Sequence, residues 1–159
     1  IDMGPEKKGM RGAISWRHAA VAAGLGTLGA SGLFLSTRFG PRVRLGGLVT
    51  DAPLKVDSKL GEALCLECSK CLNSCPVGAL KGNGEVNKRT CGDKIFSYGL
   101  RKAMELVEEL LAAPVDQRKA LIQGYAFREI WQTFMVGNYY YCWECVSNCP
   151  VGGFNNADL

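Results

Sequence analysis

Eight cysteines are the residues of this chain best suited to chemistry, and seven of them fall into two tight groups. The first group, at 65–76, reads C-L-E-C-S-K-C-L-N-S-C-P, with thiols at Cys65, Cys68, Cys71 and Cys75. Iron–sulfide cores are soft and take thiolate ligands, and a C-x-x-C-x-x-C loop is short enough to turn three sulfurs toward one [4Fe–4S] cube. The fourth corner must then come from elsewhere. Cys71 and Cys75 stand one helical turn apart, a rise of about 5.4 Å, so they can serve neighbouring cubes rather than crowd a single one. Pro76 lacks an N–H and biases the residue before it away from helical geometry, which predicts the end of a short helix there.

The pattern returns near the C-terminus. Y-C-W-E-C-V-S-N-C-P-V-G-G-F (141–154) aligns with E-C-S-K-C-L-N-S-C-P-V-G-A-L (67–80), pairing Cys149 with Cys75, Cys145 with Cys71 and Cys142 with Cys68. The second copy is one thiol short: Tyr139 stands where the first has Cys65, and Cys91 is the remaining cysteine. Two cubes need eight thiolates, the number the chain has. The arrangement resembles bacterial two-cluster ferredoxins, in which the fourth cysteine of each run ligates the other cluster. That resemblance assigns Cys65, Cys68, Cys71 and Cys149 to one cube, and Cys75, Cys91, Cys142 and Cys145 to the other. Structural zinc sites prefer two separated pairs, which two runs ending in C-P do not match. A disulfide scaffold would carry a higher cysteine fraction, and nothing here resembles a secretory signal.

With 159 residues, 47% of them hydrophobic, the chain has room for one ordinary domain or two small ones. No apolar run approaches the roughly 18 residues of a membrane span. A net charge of +4 is too small to imply nucleic acid and would suit an acidic electron donor. The chain opens at Ile1 rather than at methionine, so we expect a fragment of something longer. The expected location is cytoplasmic, with any export signal ahead of Ile1 out of sight.

The elements that must position the thiols follow from pattern. Residues 1–12 are polar and glycine-rich and predict irregular chain. The alanine-rich segment 14–23 predicts a helix capped by Ser15 and ended by Gly24. Gly24, Gly26 and Gly29 form a G-x-G-x-x-G, but a dinucleotide fingerprint follows a strand and opens a helix. Here a helix precedes it and a strand-like run, 32–36, follows; such glycines make a tight connection or let a backbone pass close to a large ligand. V-R-L-G-G-L-V-T (43–50) alternates as a second strand would. Arg38, Arg42 and Arg44 around it fit either contacts to an anionic group or a solvated strand edge. After a turn at 81–85, residues 93–136 read as a helical insertion broken at Pro114. Its stripe at Leu100, Met104, Val107, Leu110 and Leu111 fits core packing or, less simply, a partner-docking face. The aromatic run 134–143 predicts cover that keeps water from one cluster, a lever on its potential.

Taken together, A-G-L-G-T-L-G-A-S-G-L-F-L-S-T-R-F-G-P-R-V-R-L-G-G-L-V-T-D-A-P-L, the four-cysteine run, the lone cysteine and the second run resemble the C-terminal half of a known family. These are the cobalamin-dependent epoxyqueuosine reductases and corrinoid reductive dehalogenases. The resemblance implies an α+β chain: the end of a nitroreductase-like, corrinoid-binding α/β domain over 1–57, then a two-[4Fe–4S] ferredoxin-like module over 58–159 with the insertion 93–136. It implies two clusters relaying electrons to a corrinoid, with Gly24, Gly26, Gly29, Arg42 and Arg44 on the corrinoid side. It also implies a low-potential donor such as ferredoxin or flavodoxin, and a missing N-terminal domain or partner subunit. In the segment G-M-R-G-A-I-S-W-R-H (9–18), Met10 falls where the family places an acid, so no catalytic acid is carried over. His18, the single histidine, fits a cobalt ligand, a proton donor or a hydrogen-bonded packing residue. The rival reading is a ferredoxin-like electron carrier or subunit with no corrinoid and no catalysis of its own.

Overall fold

The computed structural model describes residues 14–137 and 140–153. They carry helices together with one small antiparallel sheet, an α+β arrangement, divided into two compact units. The first unit gathers the described residues of 1–86 and 144–159, and the second is Asn87–Trp143. The boundary expected at 57/58 falls inside the first unit.

In the first unit, helix α1 (Trp16–Ala22) forms where alanine lowers the cost of helix, and Ser15 stands at its N-cap in extended conformation. Gly24 ends it with φ +74, donating to Val21 O at 3.1 Å while Leu25 N–H reaches Ala20 O at 3.0 Å. This pair of bonds is a Schellman closure, and its left-handed residue is one that glycine adopts without a Cβ penalty. Strand β1 (Gly26–Leu28) then pairs with β2 (Phe34–Ser36), placing Gly26 opposite Ser36 and Leu28 opposite Phe34. α1 packs on both strands, and Ala20, Phe34, Leu35 and Ala79 are the buried apolar residues of this unit. β1 lies inside the glycine-rich run, where a tight connection or a close backbone approach is expected, because pairing with β2 rather than residue propensity makes it a strand.

The strand expected at 43–50 is absent: those residues carry neither helix nor strand, and Val49 is 93% exposed. Alternation alone does not make a strand without a partner to pair with, and β2 is paired on one side by β1. Two four-residue helices, α2 (Lys70–Asn73) and α7 (Glu144–Ser147), complete the unit and pack on each other. They occupy matching positions of the two aligned cysteine runs, and each run continues into a Pro-Val-Gly turn whose glycine, Gly78 or Gly152, has positive φ. The sequence repeat is thus a repeat of local structure.

The second unit is four helices: α3 (Lys88–Ile95), α4 (Leu100–Ala112), α5 (Val115–Gln123) and α6 (Tyr125–Val136). Asn87 caps α3 by accepting from Thr90 N–H at 3.3 Å, and Pro114 separates α4 from α5 as its sequence position predicts. A further break at Gly124 divides the single stretch expected from 116 to 135. α6 packs against α4 and α5, burying Leu106, Ile130 and Thr133. The expected α4 stripe is for the most part not the buried one, and the Leu100 side chain lies outside the described residues. Met104, Val107 and Leu111 are each more than half exposed, whereas Leu106 is buried and Ala103 and Leu110 are half-buried. α4 has apolar residues on more than one face, and α6 covers the face centred on Leu106. Among the described residues no helix is long and apolar enough to cross a membrane.

Candidate metal centre

The 65–69 loop curls through two left-handed residues that are not glycine, Glu67 at φ 48 and Ser69 at φ 56. Such conformations cost about 1–3 kcal/mol each and persist where the surroundings over-determine them. Here they bend the C-x-x-C-x-x-C segment and lead it into α2, whose first turn carries Cys71. From the other end of the chain, α7 leads into Cys149 and Pro150, and Ser74 Oγ donates to Glu144 O at 3.4 Å between the two short helices. Cys65, Cys68, Cys71 and Cys149 line one cavity of the first unit, with Gly29 and Leu35 at its wall. Three of these thiols are half-buried and Cys68 is exposed.

Backbone donors surround the sulfurs. Ala30 N–H donates to Cys65 Sγ at 3.4 Å, and Ala79 N–H donates to Cys75 Sγ at 3.3 Å. Burial pushes the Cys71 thiol up, the backbone N–H groups of Leu72 and Cys71 oppose it, and the charges of Cys149 and Cys65 add to the rise. For Cys75, burial acts upward too, but the N–H groups of Val77, Ala79, Leu80 and Gly78 together outweigh it and hold the thiol below its ordinary value. A ring of N–H groups of this kind stabilises thiolate. Among the described residues no three His, Cys, Asp or Glu side chains converge tightly enough for a single metal ion. A cube makes a looser demand, because each of its thiolates binds a different iron.

The remaining thiols divide between the units. Cys75 and Cys145 belong to the first, while Cys91 on α3 and Cys142 belong to the second; all four are half-buried. Within the second unit the aromatic run packs on its own helices: Tyr140 lies 5.8 Å from Phe96 and 5.7 Å from Trp143, and Tyr141 lies 5.0 Å from Tyr98. Tyr141 also pairs its hydroxyl with Thr133 Oγ1 and its N–H with Ile95 O at 2.9 Å. Tyr140 and Trp143 remain 42% and 48% exposed, so their cover is partial.

The residues expected on a corrinoid side are placed as follows. A Cβ on Gly24 would collide with Ser58 O, and one on Gly26 with Leu35 O, so both glycines admit the chain's own backbone. A Cβ on Gly29 would stand 3.7 Å from Cys65 Sγ, which puts Gly29 beside the cysteine cavity. Arg42 turns its guanidinium onto the carbonyls of Ser147, Cys149 and Val151, and Arg44 is exposed. His18 is exposed on α1, its Nδ1 2.8 Å from Ser15 Oγ. Met10 and Tyr139 lie outside the described residues. Sequence reasoning missed the Ala30 and Ala79 donors, since a backbone N–H leaves no signature in residue type.

No protein-family model matches the chain, and no solved structure matches it. It is 40% identical to the epoxyqueuosine reductase of Vibrio cholerae serotype O1, over 90% of this chain and 36% of that protein. It is 35% identical to the epoxyqueuosine reductase of Staphylococcus aureus over 80 residues, half of this chain and 21% of the relative. To that of Aliivibrio fischeri it is 40% identical over 75 residues, 47% of this chain and 20% of the relative. The chain thus spans between 20% and 36% of the length of these curated relatives. Over the part it spans, the chain is similar in sequence to the epoxyqueuosine reductases.

Proposed function

We propose that the chain is the electron-relay part of a cobalamin-dependent reductase of the epoxyqueuosine-reductase kind, holding two [4Fe–4S] clusters. One observation carries the reading: Cys65, Cys68 and Cys71 of one run and Cys149 of the other line a single cavity. That is the combination expected when the last cysteine of one run completes the cube of the other. The donor set is wholly thiolate and has backbone N–H support at Cys65, which fits a cube in this cavity. For the second cube, Cys75, Cys142 and Cys145 are assigned from the resemblance to two-cluster ferredoxins and Cys91 by count.

Bound cubes would supply one-electron carriers of low potential. The chain's own residues do the rest. Ala30 and Ala79 donate to the sulfurs of Cys65 and Cys75, and the left-handed turns at Glu67 and Ser69 aim the first three thiols. Leu35, 2% exposed, keeps water from the inner wall of the cavity. Of the residues expected on the corrinoid side, Gly24 and Gly26 meet the chain's own backbone, Gly29 lies beside the cysteine cavity and Arg42 is engaged by carbonyls. No step is therefore assigned through a corrinoid here. Cobalamin, a donor such as ferredoxin or flavodoxin, and the substrate are proposed from the similarity to the reductases.

The test is electron delivery. The protein, reconstituted anaerobically with iron and sulfide and reduced by dithionite, is freed of excess reductant and mixed with hydroxocobalamin. The account expects re-oxidation of the protein's visible absorption together with reduction of the cobalamin, and a smaller amplitude of both in Cys149→Ala, which keeps the second cube. A fully loaded protein that transfers nothing to cobalamin but reduces a ferredoxin would establish the carrier reading instead.

A further inference from the structure

Arg42 reaches 107 residues along the chain to Cys149, donating through Nη2 to Cys149 O at 2.7 Å. The same nitrogen donates to Ser147 O at 3.1 Å, and Nη1 donates to Val151 O at 3.2 Å. Three carbonyls flanking one thiol thus converge on one guanidinium, whose rigid fork of donors suits such a cluster of acceptors. The backbones meet there as well. A Cβ on Gly152 would collide with Gly40 N and Phe39, and one on Gly40 with Val151 O, so the two segments touch with no side chain between them. Cys149 differs from Cys65, Cys68 and Cys71 in having no place in their loop; its segment is held by this contact and, ahead of it, by the packing of α7 on α2.

We propose that Arg42 is the positioning residue for Cys149, fixing the fourth thiol of the first cube before iron arrives and raising that cube's potential through its positive charge. The proposal rests on the iron–sulfur reading above. Net charge and hydrogen bonding close to the ligands set cluster potentials, and a fixed cation favours the more negative, reduced state. The backbone of Cys149 carries the contact, so any side chain unable to donate to several carbonyls at once loses it.

The experiment compares wild type, Arg42→Lys, Arg42→Met and Cys149→Ala after anaerobic reconstitution, with Lys81→Gln as an exposed control. Iron per chain, far-UV circular dichroism, reductive titration followed by electron paramagnetic resonance, and the rate of iron release to a chelator are read for each. Wild type and Lys81→Gln are expected to hold about eight irons, four per cube. Arg42→Met is expected to keep its helical signal while falling toward four irons, with a spectrum like that of Cys149→Ala. Any first cube it retains should titrate at a lower potential. Arg42→Lys, which keeps the charge but not the fork, should hold its iron and its potential yet release iron several-fold faster. Wild type holding four irons or fewer sinks the two-cube reading itself. Wild type at eight irons, with Arg42→Met matching it in iron, potential and release rate, overturns the role of Arg42. Should Arg42→Met fail to fold, a wild-type release rate in Arg42→Lys overturns it equally.

Discussion

The two units of this molecule are held together by different means. In Asn87–Trp143, helices cover one another with side chains: Leu106, Ile130 and Thr133 are buried where α4 and α6 meet. Among the described residues of the first unit, the large apolar side chains that are buried are few, Phe34 and Leu35, and the small Ala20 and Ala79 are buried as well. Its shape comes instead from backbone touching backbone at Gly24, Gly26 and Gly152, and from thiols gathered on one cavity. A three-residue hairpin with so small a core is marginal by itself. The difference teaches where each unit is vulnerable: the second should respond to lost methylenes, the first to lost ligands.

The largest expected effect follows from that contrast. Stripping iron from the reconstituted protein should open the first unit to protease within residues 14–86 while the helical signal of the second persists. Binding free energy of a structural metal centre is folding free energy where no packed core replaces it. Protection of both segments after complete iron removal would erase the distinction.

Ile130→Ala tests the opposite side. It should cost the second unit about 2–5 kcal/mol by transfer and cavity terms, read by denaturant unfolding, and leave Cys65, Cys68 and Cys71 able to hold iron. Gly26→Ala should cost the first unit about 1–3 kcal/mol, because its Cβ meets Leu35 O across the β1–β2 pair and the backbone must shift. A smaller loss, about 1 kcal/mol, is expected for Thr133→Val, which deletes the buried hydroxyl paired with Tyr141.

The smallest effect is electrostatic. Tyr125 titrates above its ordinary value because it hydrogen-bonds Glu129 and sits in that carboxylate's field, with small additions from burial and from Tyr98 and Tyr141. Negative charge beside a phenol disfavours phenolate, so Glu129→Gln should bring the Tyr125 midpoint down in a spectrophotometric titration. An unmoved midpoint would assign the rise to burial instead.

What could be read in the sequence follows the same divide. The resemblance to two-cluster ferredoxins put Cys65, Cys68, Cys71 and Cys149 into one set, and these four line one cavity. The alanine run and Gly24 marked α1, and Pro114 marked the α4–α5 break, since each acts through its own backbone. Residues 43–50 misled because alternation reports a face to bury, not a strand to pair with. The α4 stripe misled for a related reason: both Met104 and Leu106 are apolar, and the position of α6 decided between them. Arg42 was legible as a cation but not as a clamp, because its acceptors are carbonyls, which every residue has.

The central claim is two cubes on eight thiolates, and counting acid-labile sulfide and iron in the anaerobically reconstituted protein tests it most directly. About eight of each per chain, falling to about four in Cys149→Ala and in Cys91→Ala separately, is the predicted result. Four or fewer in the intact protein, or an unchanged count in Cys91→Ala, would contradict the assignment of these cysteines to two clusters.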